Sequence, residues 1–298
     1  MSINEHKPVT PIEWLIPLAF SFVFGWVVWH GPAYILDFGP ENGQLAAQFA
    51  RTDITPNIPP LFEFGDIIDY VALILSPVLF IFGVMTVRRA PMEYQSGHVI
   101  DRGSVFIGRV TMMLVVLLTS VMIYEVVLRY VFEKPTIWAN ELSLWLAGFV
   151  FLCAGLYAMQ QRSHIRIFLL YDMMPRTVQR VCDIVSTLLI IAFAFFLFYG
   201  GYGEATAKFM RWETFGTAFD PPIPATLKPA VLLLVWLVAI QAVINLITDW
   251  NQEPVLHTAA DDIDPDEIER LKKAVGSEGV GDMDVTRSAI QHGKAGQG

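Results

Sequence analysis

Six stretches of about twenty residues carry almost no Asp, Glu, Lys or Arg, and they confine this chain to a membrane. They run Trp14 to Leu36, Tyr70 to Val87, Val110 to Leu128, Leu142 to Gln161, Ile184 to Gly203 and Pro229 to Thr248. Only the third holds an acid, Glu125. A hydrocarbon core about 30 Å thick takes about 20 helical residues to cross. In lipid each backbone polar group needs an internal partner, so stretches of this length must be helical. The expected fold is therefore all-α: a polytopic bundle of about six transmembrane helices. Charged residues are only 16% of the 298 residues, against about 25% in soluble domains, which agrees with a membrane protein.

Orientation follows from Lys and Arg in the loops. The first tail, residues 88–109, residues 162–180 and the last tail together hold 14 of these cations; the alternate segments hold 6. Both termini are expected to be cytoplasmic, and an even number of spans agrees. The first span is read as retained rather than cleaved. Its leader has only Lys7 as a cation, its apolar run is long, and no small-x-small site follows. Two proline-containing loops, 37–69 and 204–228, then lie outside. Trp14, Trp29, Trp138, Trp212 and Trp250 sit at span ends, as interfacial belts do. The organisation expected is an N-terminal extension with two spans (1–100), a four-helix part (101–250) and an acidic cytoplasmic tail (251–298). In the tail, Asp264, Pro265 and Glu267 predict a short helix to about Val275.

The most informative stretch is 129–176. It begins Arg129, Tyr130, Val131, Phe132, then has Pro135, Trp138 and Glu141. After a span ending Tyr157-Ala158 come His164-Ile165-Arg166, an apolar run to Met174, and Pro175-Arg176. In this order and spacing the chain resembles the small permease subunit, DctQ-like, of tripartite ATP-independent periplasmic (TRAP) transporters, over about residues 105–250. Phe168 stands near where that family often has an acid. The resemblance implies a bacterial inner membrane protein. It implies a large permease subunit as partner, and a periplasmic binding protein that delivers an organic acid or related small solute for sodium-coupled uptake. It also implies that the small subunit is a non-catalytic stator for the moving part of the large one.

The residues themselves allow two readings each. Glu125 and Arg129 have the i,i+4 order of a helical ion pair. Glu125 lies about 24 Å along the helix from Arg109, near the outer interface. It either ends a span with a snorkelling pair or meets a partner. Trp138 is an interfacial anchor or a functional ring. Glu141 is a first-turn acid favoured by the helix dipole or the mate of a partner's cation. His164 and Arg166 meet lipid phosphate or a docking surface. Ser143, Ala147, Ala154 and Ala158 fall near one stripe, where small residues let helices approach.

Other function classes lack their residues. Of six histidines only His30 lies in a span, so paired haem ligands are missing. No P-loop, HExxH or GxSxG motif is present. Cys153 and Cys182 are far apart, and no cofactor or metal is expected. The charge pattern does not suit nucleic acid. The rival to a transporter subunit is a self-sufficient channel or carrier, with helices partly unwound at prolines such as Pro77.

Overall fold

A computed structural model describes residues 11–38, 65–88, 90, 93, 99–162, 171 and 174–250, without the side chains of 35–38 and 99. Among the described residues there are seven helices and no strands. They are α1 (Ile12–Trp29), α2 (Gly31–Phe38), α3 (Ile67–Thr86), α4 (Val99–Tyr130), α5 (Trp138–Gln160), α6 (Arg176–Met210) and α7 (Ile223–Asp249). All but the short α2 are long and apolar enough to span a bilayer, so the expected six spans are present.

The chain divides into two compact units, Met1–Ile165 with Arg180–Gln252, and Arg166–Gln179 with Glu253–Gly298. In the second, Gln179 donates from Nε2 to the Tyr171 carbonyl at 2.9 Å and accepts from Arg176 Nη1 at 3.3 Å. The tail helix expected from Asp264 lies outside the described residues, as do His164 and Arg166.

Local chemistry explains where helices start and how they pass their prolines. Asp66 caps α3: its carboxylate accepts from the Ile68 and Asp69 amides at 2.9 and 3.0 Å. Asp69 returns the favour to the Asp66 amide at 2.9 Å, which completes a reciprocal capping box. Pro222 and Pro224 open α7, where a missing amide hydrogen costs nothing. Pro17, Pro77 and Pro229 lie inside α1, α3 and α7, yet each helix continues through its proline.

The first window, expected to run to Leu36, is broken at His30, so α1 ends at Trp29 and α2 follows as a separate helix. Two other helices run well past their apolar windows. α4 has 32 residues and α6 has 35, about 48 and 52 Å at 1.5 Å per residue. A helix satisfies its backbone whether its side chains lie in lipid or in headgroups. The uncharged window therefore marks its middle and not its ends.

The first unit is built on a line of packed helices. α1 lies on α3, both lie on α4, α4 lies on α5, and α5 lies on α7. The first joint is aromatic: Phe20, Phe80 and Phe106 meet with ring centroids 5.6–5.8 Å apart. The Phe106 ring fills the space a β-carbon at Gly83 would need. At the α4–α5 joint Tyr157 lies flat against Gly108, and at the α5–α7 joint Leu227 lies against Gly148. Of the expected small-residue stripe on α5, Ser143 is buried. The close approaches, however, are made at these glycines. α6 packs more openly, with Phe198 6.2 Å from Trp236 and with Arg180 over the Trp250 ring at 5.1 Å.

Candidate functional site

The segment that carries the sequence motif closes the turn between α4 and α5. Glu125, buried near the end of α4, organises it. Its Oε1 accepts from Arg129 Nε at 3.1 Å and Nη2 at 2.6 Å. Its Oε2 accepts from the Thr136 amide at 3.0 Å and from the Thr136 hydroxyl. The i,i+4 pair is thus formed as its spacing predicts, and it does more than end a span. It holds Thr136, two residues before α5, against the end of α4. Trp138, the first residue of α5, stacks on Tyr124 with centroids 6.0 Å apart. Tyr130 and Pro135 are exposed on the turn, Tyr130 by 76%.

Glu141 lies in the first turn of α5, where the helix dipole favours an acid. Its Oε2 accepts from the Thr217 hydroxyl at 2.5 Å and the Asp220 amide at 3.1 Å. These belong to the connection before α7, so its mate is a loop of the same chain. Trp145 strengthens that joint by donating to the Thr226 hydroxyl at 2.8 Å. Beside it Trp29 of α1 packs on Trp145 and Phe219, at 5.2 and 5.6 Å. Trp212, expected in an interfacial belt, is instead buried, with its indole against Gly31. Trp14 and Trp250 do lie exposed at span ends.

At this same end α1 and α3 are joined by Asp69. Its buried carboxylate accepts from the Trp26 indole at 2.8 Å, and its carbonyl accepts from the Tyr34 hydroxyl at 2.8 Å. Burial, then the nearby Asp69 and Asp66 charges, push the Tyr34 phenol up from 10.0 to about 12, so it stays a donor.

The opposite end, where α4 begins and α5 and α7 finish, holds a polar cluster that sequence reasoning missed. Gln241 of α7 is fully buried and donates to Asp101 Oδ1 at 2.7 Å and Asn245 Oδ1 at 2.9 Å. It accepts from the Ser104 hydroxyl at 2.9 Å. Asn245 in turn donates to the Met159 carbonyl at 2.6 Å. Three helices, α4, α5 and α7, are therefore tied through one network. Nearby Arg162 grips Asp249 with two bonds, at 3.0 and 2.9 Å. A legible signal existed: Gln241 and Asn245 are the only amides in an apolar run, four residues apart and so on one helix face.

These groups join helices to one another and to the adjoining loops. Among the described residues no cluster of three or more His, Cys, Asp or Glu has the makings of a metal site. No curated protein and no solved structure matches the chain. Residues 118–251 match the family of tripartite ATP-independent periplasmic transporters, DctQ component. The matched stretch takes in the end of α4 and all of α5 to α7, with the Glu125 turn, the Glu141 joint and the Gln241 network's α7 arm. Over these residues the chain is similar to the DctQ component, the small membrane subunit of TRAP transporters, and its six long apolar helices make it a multi-pass inner membrane protein.

Proposed function

We propose that this chain is the non-catalytic stator of its transporter. In this reading it widens the fixed scaffold on which a large permease subunit moves an organic acid or related small solute, driven by sodium. Both termini face the cytoplasm, as the 14-to-6 distribution of Lys and Arg suggests. A periplasmic binding protein delivers the solute to the large subunit. Residues 1–100 add a two-span brace to the 101–250 core, and 251–298 form a cytoplasmic tail.

One observation carries the reading. The buried polar groups described above are engaged in holding helices to each other, and the helices are continuous through their prolines. A carrier that binds its solute in the membrane typically opens helices at such points, to free backbone groups for the cargo. Here α3 runs from Ile67 to Thr86 without a break at Pro77.

Reconstitution tests it. Proteoliposomes holding this chain with its large subunit and binding protein should accumulate solute down a sodium gradient. Those with this chain alone should accumulate none. Uptake by the chain alone would establish the carrier reading and refute the stator.

A further inference from the structure

The segment that links α3 to α4 sends one carboxylate into the protein. Glu93 is only 8% exposed. Its Oε2 accepts from Arg109 Nη2 at 2.8 Å and from the Ala90 amide at 2.8 Å. Its Oε1 accepts from the Tyr157 hydroxyl at 2.6 Å. Arg109 is itself mostly buried, with 15% of its side chain exposed, and it also donates to the Arg88 carbonyl at 3.3 Å. A guanidinium on α4 and a phenol on α5 thus converge on the two oxygens of one carboxylate. That geometry needs Tyr157 to lie against the backbone of α4, which Gly108 permits.

We propose that Arg109 and Tyr157 form a carboxylate-recognition seat that Glu93 fills from within, and that filling it couples the N-terminal helices to α4 and α5. Charge-assisted bonds to a guanidinium are strong and directional. Emptying the seat leaves a mostly buried cation and a partly buried hydroxyl without their acid, which is costly. The seat lies at a seam: Tyr157 is inside the family-matched stretch, while Arg109 and Glu93 precede it. The inserted residue therefore belongs to the part of the chain that the family match does not cover. Glu13 of α1 binds Arg88 at 3.2 Å just beside it, so α1, the link and α4 are fastened together here.

Chemical rescue tests the seat in the full-length protein in detergent. Glu93→Ala should lower the melting temperature by about 5–10 °C, as expected for a broken buried pair. Hydrogen exchange should rise in α1 and α3 before it rises in α7. Sodium propionate at about 100 mM should restore much of the loss by mass action on the emptied seat, and sodium chloride should not. The rescue should vanish in Glu93→Ala/Arg109→Leu. An unchanged melting temperature, equal rescue by chloride, or rescue that persists without Arg109 would each overturn the proposal. If Glu93→Ala does not fold, Glu93→Gln and Arg109→Gln form a double-mutant cycle. Strong coupling supports the seat, and simple additivity refutes it. The readout is stability alone, so a failure here leaves the stator reading untouched.

Discussion

Replacing Gln241 by Leu separates polar fastening from packing, because the two side chains are close in volume and the site is fully buried. Three groups lose a partner: Asp101, Asn245 and Ser104. Ser104 loses little. Its hydroxyl can turn back to a carbonyl of its own helix, as those of Thr111, Thr119 and Ser120 do. Asn245 keeps its bond to the Met159 carbonyl and loses only a donor to its oxygen. Asp101 is left buried with one donor fewer, and this is the dominant cost. A buried polar group that loses a bond costs roughly 1–3 kcal/mol, so the sum is about 3 kcal/mol. Hydrogen bonds measured within membranes average about 0.6 kcal/mol, and that scale sets a floor near 2 kcal/mol for three lost bonds. The melting temperature should fall by roughly 4–12 °C on these figures. The assay is thermal unfolding in detergent, followed by tryptophan fluorescence, with Leu233→Ala on an exposed face of α7 as control. Pairing Gln241→Leu with Asp101→Leu should recover part of the loss, since it removes the buried carboxylate that the first change deprives of the Gln241 amide. A change no larger than the control's would show that the network does not hold α4 to α7.

Three further outcomes follow from other joints. Gly108→Val should cost about 1–3 kcal/mol, because its β-carbon overlaps the Tyr157 ring, and the same change at Gly103, which has open space, should cost less; melting curves compare them. Glu141→Ala should raise amide exchange at Gly216 and Asp220 while sparing α4, because the acid pins that connection alone to the start of α5; mass spectrometry of exchange reads it. For Tyr34 the folded phenol, near 12, lies above the ordinary 10.0, so the unfolded chain ionises first. Its contribution is complete below about pH 10 and fades as pH rises toward 12, so Tyr34→Phe should flatten that part of the stability profile.

The spans were legible because lipid imposes one rule along twenty residues at a time, and that rule needs no tertiary knowledge. The Glu125–Arg129 pair was legible for a related reason: both partners lie on one helix, and helical geometry sets their distance. Glu141 was half legible. Its first-turn place could be read, but its mates, Thr217 and Asp220, lie over seventy residues away and depend on how α7 returns beside α5. Glu93 and Tyr157, like Asp101 and Gln241, are separated by whole helices, and only the packing brings them together. Trp212 shows the converse error. Its position at a span end predicted an interfacial ring, but the turn after α1 fills the space around it and buries it against Gly31.

The placement of these bonds bears on motion. A helix that slides or tilts against its neighbour must break whatever polar bonds cross the joint, and in lipid no water waits to replace them. α1 and α3 are tied by Trp26 and Asp69, α4 and α5 by the Thr136 bonds to Glu125, and α4 and α7 by Gln241. The connection into α7 is tied to α5 by Glu141, and the first turn of α7 by Trp145. Fastening lies at both ends of the line of helices, so rocking about either end breaks bonds at the other. Helices α1, α3, α4, α5 and α7, tied this way, resist sliding against one another, which is what a stator requires of its material. If a solute-dependent change in exchange were confined to one helix of this chain, that rigidity would be absent and the stator reading would fail with it.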